Sequence, residues 1–172
     1  MALELHQRPE TGAPDPLDIR PMIADDLAGV MEIERAVYSA PWSRAVFLQD
    51  LTNNGMSRYL IGELRGQLIG YAGIWIFEQV GHVTTVAVDP RARRHGYGSQ
   101  LLEAILVEGR KAGVIRFTLE VRVSNTAAQA MYRQYGFYGV GVRPRYYQDD
   151  KEDALIMWTD PETEGYERGW TG

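Results

Sequence analysis

The 172-residue chain contains no cysteine and only three histidines, four phenylalanines and four tryptophans. Without cysteine there can be no disulfide, no thiolate metal ligand and no thiol nucleophile, which excludes catalysis through a sulfur-bound acyl group. Long apolar runs are missing too: none approaches the roughly 20 residues of a membrane-spanning helix, and no signal-peptide pattern opens the chain. A basic surplus is also absent, with eighteen Lys and Arg against twenty-three Asp and Glu and a net charge of −5. General electrostatic binding to nucleic acid is therefore not expected. Cationic partners such as amines or basic peptide tails suit the charge. Hydrophobic content of 45% and charged content of 24% are ordinary for a globular protein, and the length suits one domain. A cytoplasmic location follows as the expectation.

What the sequence does contain is concentrated in Arg91-Ala92-Arg93-Arg94-His95-Gly96-Tyr97-Gly98-Ser99-Gln100. A strand-like run and the turn pair Asp89-Pro90 precede this stretch, and an amphipathic helix to about Ala112 follows it. Glycines spaced by one residue let backbone approach a ligand, and the free N–H groups of a helix start favour an anion. The pattern is not a Walker loop, which needs Gly-Lys-Ser/Thr where Gly98-Ser99-Gln100 stands. It is not a dinucleotide fingerprint either, because Leu101 occupies the position of the third small residue. A surface turn with a chance pair of glycines is the simplest alternative.

Periodicity predicts the rest. Pro9, Gly12, Pro14 and Pro16 mark residues 1–16 as a flexible arm. A short strand over 17–22 precedes a helix whose apolar stripe is Leu27, Val30, Met31, Ile33 and Val37. A second helix over 44–51 is capped by Ser43. Strands are expected over 58–64, 67–77 and 82–88, the first two joined by Arg65-Gly66. After the glycine loop and its helix come a strand over 115–123, a helix capped by Ser124 or Asn125 and ended by Gly136, and strands over 138–143 and 153–158. Residues 159–172 read as a flexible tail. The order β-α-α-β-β-β-α-β-α-β-β implies an α/β (α+β) domain over 17–158. Its central sheet is mixed, with about seven strands, flanking helices and one parallel, right-handed strand-helix-strand unit.

Two residues stand out chemically. Glu120 alternates with Arg116, Thr118 and Arg122 on one face of its strand, opposite Phe117, Leu119, Val121 and Val123. It is either a general base facing a cleft or an ion-pair partner of Arg116 or Arg122. Tyr132 is either core packing or a proton donor. Asn125 is most simply a helix cap, and His82 either a base or a half-exposed strand residue.

Five motifs occur in order: Tyr38-Ser39-Ala40-Pro41-Trp42-Ser43, Thr84-Thr85-Val86-Ala87-Val88-Asp89-Pro90, Leu119-Glu120-Val121-Arg122-Val123-Ser124-Asn125, Met131-Tyr132 through Gly136-Phe137, and Arg143-Pro144-Arg145-Tyr146-Tyr147. With the Arg/Gln-x-x-Gly-x-Gly/Ala match at Arg93 to Gly98, they resemble the GNAT acetyltransferase superfamily and, within it, the RimI-type ribosomal-protein alanine N-acetyltransferases. The resemblance spans roughly residues 17–158. It implies a GNAT fold and acetyl-CoA as cosubstrate, with no metal. Glu120 corresponds to the family's proton acceptor and Tyr132 to its proton donor. Val86, Ala87 and Val88 match the segment that pairs with the pantetheine arm. Arg93, Arg94, His95, Gly96, Tyr97, Gly98 and Ser99 match the pyrophosphate loop, and Asn125 a further coenzyme contact. Tyr38, Trp42, Tyr146 and Tyr147 lie on loops bordering the acceptor side, where an N-terminal segment of a ribosomal or other protein would lie. The acids Asp149 and Asp150 beside them suggest a positively charged chain. A different amine acceptor, or a catalytically dead acyl-CoA sensor, are the alternatives.

Overall fold

The computed structural model describes residues 14–52 and 55–161; most of the expected arm (1–13) and tail (162–172) lies outside them. Strand β1 (Asp18–Pro21) leads through a 3-10 turn to helix α1 (Leu27–Val37) and then α2 (Arg44–Thr52). Three antiparallel strands follow, β2 (Ser57–Leu64), β3 (Gln67–Phe77) and β4 (Val80–Val88). Helix α3 (Tyr97–Lys111), β5 (Arg116–Arg122), α4 (Thr126–Gln134), β6 (Tyr138–Arg143) and β7 (Ala154–Trp158) complete the chain. One seven-stranded sheet runs β1-β2-β3-β4-β5-β7-β6, mixed as expected, with β4 and β5 its parallel pair.

Local chemistry sets these boundaries. Arg65 and Gly66 both take left-handed backbone, φ 51° and 80°, the paired geometry that suits a two-residue hairpin turn. Gly113 at φ 88° and Gly136 at φ 85° close α3 and α4. Strand β4 begins at Val80, two residues ahead of the expected His82, because Val80 and Gly81 pair with both neighbouring strands. Val123 falls beyond the end of β5 and is exposed rather than packed with Phe117, Leu119 and Val121.

Two cores sandwich the sheet. One face packs on α3 and α4 through Ile74, Val83, Leu101, Leu102, Ile105, Phe117, Leu119, Tyr132 and Phe137. The other packs on α1 and α2 through Leu27, Val30, Ile33, Phe47, Tyr59, Tyr71 and Ala87. Thr84 is an extra residue in β4: Gly73 pairs with Thr85 and the next residue, Ile74, with Val83. Such a bulge inverts the alternation of side chains. It therefore puts His82, Thr85 and Ala87 all on the α1 side of the sheet.

The parallel contact is short. It joins Val80, Gly81 and His82 to Arg116, Phe117 and Thr118 and goes no further. Beyond it β4 pairs only with β3 and β5 only with β7. The sheet thus opens into a cleft between the C-terminal halves of β4 and β5, the place where open α/β sheets bind ligands.

At the two ends of the described chain the backbone is tied down. Gln100 accepts from Leu17 N at 2.8 Å and donates to the Asp15 carbonyl at 3.1 Å. Thr159 extends the β5 contact through Phe117 O at 2.9 Å and Phe117 N at 3.0 Å.

Candidate active site

The loop after β4 has the features of an anion cradle. Asp89 accepts from Arg91 N at 2.9 Å and holds the Arg91 guanidinium at 2.6 Å, which fixes the turn out of the strand. Arg94 (φ 64°) and Gly96 (φ 76°) both adopt left-handed backbone and fold the loop tightly onto the start of α3. Gly96 is the N-cap of α3 and brings no side-chain acceptor, which leaves the first-turn N–H groups at Tyr97, Gly98 and Ser99 for a ligand. Arg93 and Arg94 are exposed, and their guanidinium groups make no hydrogen bond or ion pair among the described residues. His95 anchors its ring to the Arg93 carbonyl at 2.7 Å and stacks on Tyr97. Along the cleft, the segment holding Val86, Ala87 and Val88 has no strand partner on its β5 side, so its backbone groups there are available. Asn125 caps α4, accepting from Ala128 N at 3.1 Å.

Glu120 lies on the splayed part of β5. Neither of the partners expected for it is used. Arg116 instead covers Trp158, 4.5 Å from the ring centroid, and Arg122 is taken up by the β6–β7 loop. Glu120 Oε2 lies 2.5 Å from His82 Nε2, and Oε1 lies 3.9 Å from Arg143 Nη2. The hydrogen bond to His82, opposed by burial, holds the Glu120 carboxyl below its ordinary range.

From this pair an arc of rings extends both ways. His82 meets Trp75 edge-on at 6.3 Å, and Trp75 stacks on Trp42 at 6.1 Å. On the other side Arg143 approaches the Tyr146 ring at 5.9 Å, and Tyr146 packs on Tyr147 at 5.1 Å. Trp42, Tyr146 and Tyr147 are therefore assembled around Glu120 through Trp75, His82 and Arg143. Trp75 carried no sequence signal beyond strand alternation. Tyr38 sits under the same site, its hydroxyl 2.9 Å from Thr85 Oγ1.

Tyr132 is buried on α4, packed edge-on against Phe137. Its hydroxyl makes no hydrogen bond among the described residues. Burial, with the Tyr38 and Tyr147 hydroxyls nearby, raises its pKa well above the ordinary tyrosine value. Tyr147 is pushed up to about 12, chiefly by burial. Both phenols stay protonated at neutral pH.

The acids of the β6–β7 loop do other work than expected. Arg122 binds Asp149 at 2.8 Å, Asp150 at 2.8 Å and Glu152 at 3.1 Å, while its guanidinium covers Tyr147 at 3.9 Å. Asp149 also accepts from the Ser39 hydroxyl, linking this loop to the α1–α2 loop. Asp149 and Asp150 are thus held by Arg122, but one guanidinium balances only one of the three carboxylates, so the loop keeps a net negative charge. Proximity in sequence to the tyrosines could not reveal that Arg122, some 27 residues earlier, claims them.

The model of the Acetyltransferase (GNAT) family matches residues 27–137. The chain belongs to the GNAT acetyltransferase family. Among its relatives, the [ribosomal protein bS18]-alanine N-acetyltransferase of Escherichia coli (strain K12) is 37% identical over 136 residues, 77% of this chain and 89% of that one. A provisionally named [ribosomal protein bS18]-alanine N-acetyltransferase of Bacillus subtilis (strain 168) is 38% identical over 140 residues, 81% of this chain and 93% of that one. The crystal structure of the ribosomal-protein-S18-alanine N-acetyltransferase from Escherichia coli superposes with a TM-score of 0.78 at 31% identity. It covers 88% of this chain and 97% of its own.

GNAT acetyltransferases take their acetyl group from acetyl-CoA, and the cradle fits its chemistry: two uncommitted arginines and a helix start for phosphates, an unpaired strand edge for amides. Among the described residues no group of three or more His, Asp or Glu could hold a metal ion, and no helix is long and apolar enough to cross a membrane.

Proposed function

We propose that this acetyltransferase acts on the N-terminal α-amino group of a protein, and that its preferred acceptor is an alanine-starting small-subunit ribosomal protein of the bS18 class. The observation that carries the reading is the ring arc from Trp42 to Tyr147 centred on Glu120, which borders the open end of the cleft. Aromatic faces cover a peptide chain, and tyrosine hydroxyls hold its carbonyls and amides. The two bacterial relatives, both named for that activity, support the same acceptor. Such an acceptor is made in the cytoplasm.

At neutral pH only roughly a tenth of a terminal amine with pKa of about 7.7–8.0 is uncharged. Glu120 supplies the negative charge that draws the ammonium into place and favours its deprotonation. The neutral amine attacks the thioester carbonyl directly, because the chain has no thiol to carry an acyl intermediate. Tyr132 protonates the departing thiolate. Val86, Ala87 and Val88 align the donor's amide arm, residues 93–99 hold its pyrophosphate, and Asn125 adds a contact through its amide nitrogen.

Mass spectrometry of alanine-, serine- and methionine-starting peptides incubated with acetyl-CoA tests the reading. Preferential acetylation of the alanine peptide is expected. Equal turnover of spermine, aminoglycosides and alanine peptides would remove the protein N-terminus as the acceptor.

A further inference from the structure

Glu120 is not a solitary carboxylate. It is 12% exposed, its His82 partner is 33% exposed, and the two meet at 2.5 Å where the parallel pairing ends, His82 being its last residue on β4 and Glu120 lying just beyond Thr118 on β5. An ionised carboxylate has no proton to share, so Nε2 of His82 is the donor; in the neutral ring this is the Nε2–H tautomer. The lone pair of the ring then sits on Nδ1, which makes no hydrogen bond among the described residues. The ring is held in place by Trp75, whose Nε1 donates to Asp50 at 3.0 Å and whose face stacks on Trp42. Other charged or titratable groups facing the pair are Arg143 of β6 and Tyr146 and Tyr147 of the following loop.

Base strength separates the two partners. Moving a proton from a terminal ammonium to an ordinary carboxylate is uphill by a factor of roughly 10³–10⁴, but to an imidazole by only roughly 10–30. The hydrogen bond from His82 makes Glu120 the weaker base still. The same geometry, an imidazole oriented by a buried carboxylate, recurs in enzymes wherever a proton must be accepted near pH 7.

Resting on the acetyl-transfer reading above, we propose that His82 and Glu120 form one proton-accepting unit. Glu120 orients the ring and balances its charge, and His82 Nδ1 takes the proton of the acceptor ammonium, directly or through a water. The steps balance. The ammonium gives its first proton to Nδ1, the nitrogen forms the C–N bond, and the C–S bond breaks. The sulfur takes the Tyr132 proton, and the second proton of the nitrogen restores the phenol. The imidazolium returns the first proton to solvent through its exposed edge, leaving amide, free thiol and one proton in bulk.

His82→Gln keeps an N–H for Glu120 but offers no basic nitrogen. It is expected to lower kcat at pH 7 about 10²-fold, to leave both KM values near wild type, and to flatten the acidic limb of the kcat profile. Added imidazole should restore part of the turnover of His82→Gly. Wild-type kcat with an unchanged pH profile in His82→Gln would overturn the proposal while leaving the acetyltransferase reading intact. Failure of the wild type on every alanine-starting peptide would strike that reading instead. The pair is then decided by ¹⁵N NMR of the wild-type imidazole, which needs no acceptor: an Nε2–H tautomer supports it, and an Nδ1–H tautomer overturns it.

Discussion

Gly98 is the residue at which the cofactor cradle can be tested without touching the fold. A Cβ there would meet Met131 Sδ at 3.4 Å and Val88 Cγ2 at 3.8 Å, ordinary or slightly tight contacts. Gly98→Glu should therefore fold, yet place a carboxylate where phosphates would lie. Calorimetry should show acetyl-CoA binding abolished; unchanged affinity would end the phosphate-cradle assignment. Glu120→Gln, by contrast, should lower kcat by about 10²–10⁴ with little change in acetyl-CoA affinity. Tyr132→Phe removes a hydroxyl that makes no hydrogen bond among the described residues, so stability should change little. Its kcat should still fall. A Tyr132→Phe enzyme with full kcat would assign the thiolate's proton to another group. At this scale Glu120 stood out as a carboxylate amid strand alternation, whereas Tyr132 stood out only through the resemblance. Their partners did not. Strand alternation suggested Arg116 and Arg122 for Glu120, whereas the parallel register that sets His82 beside Thr118 brings His82 to it instead.

Among the elements, the β6–β7 loop and α1 carry the side proposed for the acceptor. Arg122 pins the loop by three carboxylates and by its guanidinium over Tyr147, so Tyr147 is presented as a fixed surface. Tyr147→Ala should raise the KM for an alanine-starting peptide far more than that for acetyl-CoA. A parallel rise in both, measured by steady-state kinetics, would place Tyr147 outside the acceptor site. On α1, buried Glu34 accepts from Trp42 N at 2.8 Å and from the Tyr71 hydroxyl, tying the α1–α2 loop to β3. Burial raises its pKa above the ordinary glutamate value, though these two donors oppose the rise. Between the unfolded and folded pKa the native state holds more protons, so this group's contribution to stability falls as pH increases. Denaturant titrations from pH 4 upward should show that loss in the wild type and a flatter profile in Glu34→Gln. Sequence placed Glu34 on α1 but could not show that a helix-borne acid organises the α1–α2 loop, since Trp42 and Tyr71 are distant in the chain.

In the whole molecule, the order of elements, the mixed sheet and the glycine loop followed from hydrophobic periodicity and turn residues, which are local signals. The points of departure were long-range: where the parallel pairing stops, which arginine claims which acid, how the ends are fastened. The short β4–β5 contact also bears on how the protein behaves without its cosubstrate. Among the described residues, three paired positions join the strands β1 to β4 to the strands β5 to β7 within the sheet. A pantetheine arm lying between the diverging strands would supply the missing rungs, so the ligand acts as a removable part of the architecture. At about a hundredfold excess over its dissociation constant, coenzyme A should add about 2.7 kcal/mol to stability. Amide hydrogen exchange should slow on both walls of the cleft, and protection confined to the pyrophosphate loop would show that the rungs do not form. If the rungs form, the empty enzyme is a seam held at one end, and product release reopens it at every turnover.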